Sequence, residues 1–151
     1  MHIVLVEPEI PQNTGNIVRT CALTRTVLHL VKPLGFSIED RYLKRAGLDY
    51  WDKVEIHVWN SFAEVISNFS EGNNIYLATT KARRNYHEVA YTADDVLVFG
   101  PESKGLSEAI LQSNPHHIRI PMVDMGRSLN LSNSAAIILY EALRQQNFST
   151  I

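Results

Sequence analysis

The chain has 151 residues, 45% of them hydrophobic and 20% charged, a length that accommodates one domain with a substantial core and is too short to expect two. It contains no low-complexity tract, no repeat period and no apolar run on the order of 18 residues, which excludes a disordered chain and a membrane-spanning helix as classes. A formal net charge of -2 argues against a general nucleic-acid coat and leaves room for local basic footprints.

Met1 to Pro8 has no basic leader and only a short apolar run, so it reads as a first strand, His2 to Glu7, and not as a signal peptide. Glu7 to Thr14 then places two prolines and two amides before a helix, Gly15 to Thr24, that carries Ile17, Val18, Cys21 and Ala22 at helical spacing. Asn13 or Thr14 is the natural N-cap, and Arg19 lies about one turn beyond Asn16. The guanidinium then stands either beside an anion-binding helix end or against a surface acid. Cys21, the sole cysteine, has no partner for an internal disulfide, and a cytoplasmic protein is the expectation.

Strands are expected at Val27 to Val31, Val54 to Val58, Asn74 to Thr79, Val96 to Phe99 and His117 to Ile120. The helices between them are Ile38 to Arg45, short and basic; Phe62 to Phe69, opened by a capping box of Ser61 and Glu64; and Leu106 to Gln112. The last, about Asn133 to Gln146, is the longest, with Ala135, Ala136, Leu139 and Leu143 on an apolar stripe. Its small residues suit packing on the sheet or a subunit interface. Alternation of strand and helix predicts a parallel α/β sheet. Three basic groups fall near loop ends: Lys32 with Arg41, Lys44 and Arg45; Lys81 with Arg83 and Arg84; and His116 and His117 with Arg119.

Three segments carry chemistry. The first is the Pro-rich, amide-rich turn just described. The second, Val96 to Leu106, is a buried strand running into a glycine turn, where Pro101 stiffens the chain and Gly105 supplies unusual dihedrals. Gly100 would let a ligand approach the backbone, and Glu102 either caps nearby backbone groups or faces a ligand. Gly100 and Gly105 have P-loop spacing, but Leu106 and Ser107 replace the required Lys and Ser/Thr, and no GxGxxG occurs. In the third, a strand ends at Ile120-Pro121, and the polar loop Arg127 to Asn133 leads into the last helix, the arrangement by which open α/β folds bind ligands. A metal site is not expected: His116 and His117 point apart on a strand, and HExxH, CxxC and GxSxG are absent.

In order and spacing these segments resemble the SPOUT superfamily of knotted RNA methyltransferases, and within it the small tRNA 2'-O-methyltransferases of the anticodon wobble nucleotide. Asn13 to Arg19, Phe99 to Leu106, and Ile120 to Met122 with Arg127 to Asn133 resemble its three motifs. Lys44 to Tyr50 resembles a segment of the wobble-acting subgroup, and Ser134 stands where alanine is usual. The resemblance implies a single domain over 1–151, with a mostly parallel sheet flanked by helices and a deep C-terminal trefoil knot, a rare topology. It implies a homodimer and S-adenosylmethionine bent into the knot, in contact with Ala78, Gly100, Ile120 and Ser128. Backbone groups of the first three would read adenine and ribose.

The implied reaction is in-line attack of a ribose 2'-hydroxyl on the sulfonium methyl, without a metal. Its implied substrate is the nucleotide at position 34, cytidine or modified uridine, in the anticodon stem-loop of leucine tRNAs. Arg19, Asn13, Glu102 and Asn130 form the implied catalytic group. Members of the family often use the residue corresponding to Arg19 as base, but a guanidinium stays protonated far above neutral pH. Arg19 therefore either accepts the proton or holds the RNA phosphate and stabilises the alkoxide electrostatically. Rival readings are a ribose methyltransferase of another tRNA or rRNA position, a non-catalytic RNA-binding module of the same fold, and, remotely, a nucleotide-binding enzyme of unrelated chemistry.

Overall fold

A computed structural model describes residues 1–38, 50–124 and 126–151. Among them β1 (His2–Val6), β2 (Val27–Val31), β3 (Ile56–Trp59), β4 (Ile75–Ala78), β5 (Val96–Phe99) and β6 (His117–Ile118) form one parallel sheet, in the order β3-β2-β1-β5-β4-β6. The central strands read as continuous apolar runs because helices cover both faces. Leu5 is in register with Leu30 on one side and Phe99 on the other.

Alternation along the strands separates two cores. Ile3, Leu5, Leu28, Leu30, Leu97 and Phe99 face α1 (Pro11–Thr24), while Val4, Val6, Val31, Val96 and Val98 pack with Val65 of α2 (Phe62–Ser67) and Leu111 of α3 (Glu108–Ser113). The last helix, α4 (Leu131–Gln145), closes the first core with Leu131, Ala135, Ile138, Leu139, Ala142 and Leu143. Ala136, expected on that stripe, is only partly buried. Ile138 and Ala142 complete the i, i+3, i+4, i+7 pattern in its place.

All six expected strands form, with shifted ends. β3 begins two residues later than expected, at Ile56, and β6 ends at Ile118, beyond which a single parallel bridge joins Arg119 to Asn85. The expected helix Ile38 to Arg45 lies, apart from Ile38, outside the described residues, as does all of Lys44 to Tyr50 except Tyr50. At α2 the Ser61 hydroxyl accepts from Glu64 N–H at 3.3 Å, and the Glu64 carboxylate reaches back to Asn60 N–H at 3.1 Å, so the box closes one residue earlier than its usual form.

Two helix starts differ from expectation, each because of where its end groups find acceptors. α1 begins at Pro11, with Ile10 as N-cap and no side-chain cap of its own, so Asn13 and Thr14 are buried inside its first turn instead of capping it. Proline needs no N–H partner at N1, and a carboxylate from another loop serves this helix end. α4 begins at Leu131 because Asn130 caps it, its Oδ1 accepting from Ser132 N–H at 2.9 Å and Asn133 N–H at 3.3 Å.

Beneath α2, the second face carries a histidine row over β1, β2 and β3. His29, 2% exposed, has Nδ1 accepting from Trp59 Nε1–H at 3.1 Å and Nε2 placed 3.2 Å from His2 Nδ1, while the His57 ring stacks 5.3 Å away. Both His29 nitrogens are engaged only when the ring is neutral, and burial depresses its pKa to about 4.

Strand order reverses between β1 and β5, where the loops leaving their C-terminal ends diverge. In parallel sheets that is where a crevice opens.

Candidate active site

The loops after β1 and β5 are tied across this reversal by two carboxylates. Glu9 accepts from Ser103 N–H at 2.8 Å and from the Ser103 hydroxyl at 2.7 Å, contacts that hold its pKa below the usual carboxylate range. In return Glu102 accepts from Glu9 N–H at 2.8 Å, Ile10 N–H at 3.2 Å and Asn13 Nδ2–H at 3.0 Å. Glu102 therefore caps neither Gly105 nor Leu106; it supplies the anionic cap that α1 lacks, at the positive end of the helix dipole. Gly35 fits against the same loop: a Cβ there would lie 2.7 Å from Glu9 Cα.

From Glu102 the network runs on to the C-terminal segment. Asn13 Oδ1 accepts from Asn130 Nδ2–H at 2.8 Å, and Asn130 Oδ1 in turn caps α4. These bonds fix both amide orientations and link all three sequence segments through one chain of donors, over sequence separations of 89 and 117 residues.

Next to this network a cleft of about 850 Å³ lies over the C-terminal ends of β4, β5 and β6. Ala78, Gly100, Ile120 and Ser128 all line it, and so do Asn13, Glu102 and Asn130. Gly100 is required here for a reason other than ligand approach: a Cβ would sit 2.3 Å from Leu106 N and 2.4 Å from Gly105 C, so the loop returns onto its own first residue. Gly105, at φ +68°, makes that return possible. The rim carries apolar side chains with no cover, Val123 at 78% exposure and Met122 and Leu129 near it. Ser128 and Arg127 have no polar partner among the described residues.

Arg19 does not line this cleft. It is six residues past Asn13 on α1, about 9 Å along the axis and on a different face, since successive helical residues turn by about 100°. Its guanidinium is exposed and lies 5.3 Å from the centre of the Tyr50 ring. The other expected site residues converge; this one stands apart.

Sequence reasoning missed the Glu9–Ser103 clamp, because the two residues are 94 positions apart and no local spacing marks the pair. It also missed that the second and third basic groups meet: Lys81, Arg83, Arg84, His116 and His117 line one concavity. Among the described residues no group of three or more His, Cys, Asp or Glu side chains is placed to hold a metal ion, and no helix is long and apolar enough to cross a membrane.

A parallel sheet with a ligand cleft at its strand ends, built from three distant polar segments, is the architecture of a SPOUT methyltransferase, and residues 1–140 match the SpoU rRNA Methylase family, to which the chain belongs. A relative from Methylovorus glucosotrophus, named tRNA (cytidine(34)-2'-O)-methyltransferase, is 52% identical over 97% of this chain and 96% of its own length. A solved structure described as giving structural insights into the 2-OH methylation of C/U34 on tRNA superposes with a TM-score of 0.92, at 42% identity over 97% of this chain and 95% of that one. The SpoU methyltransferase AviRb from Streptomyces viridochromogenes, solved in complex with AdoMet, shares the fold at a TM-score of 0.88 and 23% identity, over 97% of this chain and 60% of that one.

Proposed function

We propose that this chain is a tRNA 2'-O-methyltransferase that methylates the ribose of the wobble nucleotide, cytidine or uridine 34, with S-adenosylmethionine as methyl donor. The observation that carries this reading is the convergence of Asn13, Gly100, Glu102, Ile120, Ser128 and Asn130 on one cleft, in a chain whose near-full-length relatives bear that activity in their names. The cleft volume is right for a nucleoside-sized ligand, and the uncovered Met122 and Leu129 suit an adenine face. Bound there, S-adenosylmethionine supplies an electrophilic sulfonium methyl.

The protein's share of the chemistry is alignment and charge. Ala78, Gly100 and Ile120 would hold adenine and ribose through backbone groups, and the Ser128 hydroxyl would add a donor. Asn13, Glu102 and Asn130 are positioning residues: their shared hydrogen bonds keep the polar loop and the start of α1 at fixed separation, which would align a bound hydroxyl with the cofactor. Arg19 stabilises the oxygen as its proton passes to solvent water, or holds the adjoining phosphate.

The same reading has one domain over residues 1–151, a C-terminal trefoil knot through which the segment before α4 passes, a cytoplasmic setting and a homodimer. Two features support the dimer. Arg19 is remote from its own cleft, as a site completed by a second copy requires, and Leu23, one turn further on α1, is 56% exposed alongside Ile137 and Tyr140 of α4.

The reading is tested with labelled S-adenosylmethionine and tRNA whose wobble nucleotide is unmodified. Label enters the RNA and is lost when a 2'-deoxy nucleotide replaces residue 34; label that persists in the deoxy substrate assigns the enzyme to another RNA position.

A further inference from the structure

Beside the cleft, the loop after β4 and the turn before β6 enclose a second concavity of about 390 Å³. Its wall carries Lys81, Arg83, Arg84, His116 and His117, and none of its lining residues is acidic. In a chain of net charge -2, three permanent cations and two imidazoles on one wall create a field opposite in sign to that of the protein as a whole.

These charges stand on a fixed backbone. Arg119 N–H donates to Arg84 O at 3.0 Å and Tyr86 N–H to Arg119 O at 2.8 Å, on either side of the Asn85–Arg119 bridge. The Arg84 guanidinium donates to Glu88 O at 2.7 Å, which orients it. Among the described residues the Lys81 ammonium makes only an exposed pair with Glu108 at 3.8 Å, and the Arg83 guanidinium has no partner. On the inner side, the Tyr76 ring lies 5.9 Å from that of His116. Lys81 and Ile118 line both this concavity and the cleft, so the two adjoin at these residues.

We infer that this concavity binds the backbone of the substrate RNA, taking a phosphate next to the nucleotide whose ribose enters the cleft. The inference rests on the RNA methyltransferase reading above. Adjacency to the cleft makes an RNA strand the occupant, since a strand placed with one ribose in the cleft carries its next phosphate toward the adjoining basic wall. Guanidinium forks match phosphate oxygens, and a pre-ordered loop loses little entropy on binding them. Arg83, which gives up no internal contact, is the cation most available to the ligand.

The experiment measures affinity for unmodified tRNA as a function of salt for the wild-type chain, Arg83→Glu and Arg83→Lys, with S-adenosylmethionine affinity measured alongside. Arg83→Glu weakens tRNA binding by roughly tenfold and makes the slope of log affinity against log salt shallower by about 0.7, the value for one lost contact to a single strand. Its KM for tRNA rises while its cofactor affinity and melting temperature stay at wild-type values. Arg83→Lys, which keeps the charge, retains most of the slope. A wild-type slope and affinity in Arg83→Glu, with methylation intact, overturns this inference alone; a wild-type chain that methylates no RNA overturns it together with the reading on which it rests.

Discussion

Replacing Glu102 with alanine removes the acceptor for three donors, and their surroundings set the cost. Ile10 N–H is exposed and turns to water, whereas Glu9 N–H is partly buried and the Asn13 amide belongs to a residue only 5% exposed. Two donors stranded near a helix end, at about 1 to 1.5 kcal/mol each, give a loss of about 2 to 3 kcal/mol. For a chain of this length that is a fall of about 8 °C in melting temperature. Glu102→Gln keeps one acceptor oxygen but turns an N–H₂ toward a donor, so it recovers about half. Because Asn13 loses its anchor, the hold on Asn130 loosens too, and the KM for S-adenosylmethionine rises in step with the stability loss. Urea unfolding and calorimetric cofactor titration of both variants check this. A Glu102→Ala protein with wild-type stability and abolished methyl transfer would refute the positioning role and make Glu102 a participant in the chemistry.

Gly100→Ala drives a Cβ into the backbone at Gly105 and Leu106, so the loop must open; we expect a loss of about 3 kcal/mol and at least roughly tenfold weaker cofactor binding, read by the same two methods. His29 is held neutral in the fold, with its pKa lowered by burial from 6.5 to about 4, so the unfolded chain binds more protons between those values. Its contribution is complete above the unfolded pKa and declines as pH falls, by about 2 kcal/mol between about pH 7 and pH 5. Denaturant unfolding at the two pH values measures it, and His29→Gln should flatten the profile. Co-expressing Arg19→Ala with Asn130→Ala chains restores methyl transfer that neither variant shows alone if Arg19 serves the partner's cleft; mixed dimers as inactive as both parents would return Arg19 to its own.

The sheet was legible in the chain because each strand is a short apolar run bounded by turn residues, and the central strands, covered on both faces, carry the signal undiluted. Boundaries were less so, since they depend on distant groups. α1 begins at Pro11 and not at Gly15 because a carboxylate 89 residues from Asn13 serves its end. Asn130 was recognisable as a polar residue out of place, and the fold gives it two tasks, capping α4 with its oxygen and holding Asn13 with its amide. Gly100 stood out as a place for a ligand to approach the backbone, and the fold adds a demand the local sequence did not show: its missing side chain makes room for the chain itself. The basic concavity was invisible because 35 positions separate Lys81 from His116; only the pairing of β4 with β6 brings them together.

The proposed activity acts at one nucleotide of tRNA. Ribose methylation mapped by mass spectrometry in tRNA from cells with and without this protein tests it most directly. We expect the 2'-O-methyl group at nucleotide 34 to disappear from the affected tRNAs in cells lacking the protein and to return when the wild-type chain is supplied. Methylation that persists at nucleotide 34 while another site in tRNA or rRNA loses its methyl group would contradict the assignment.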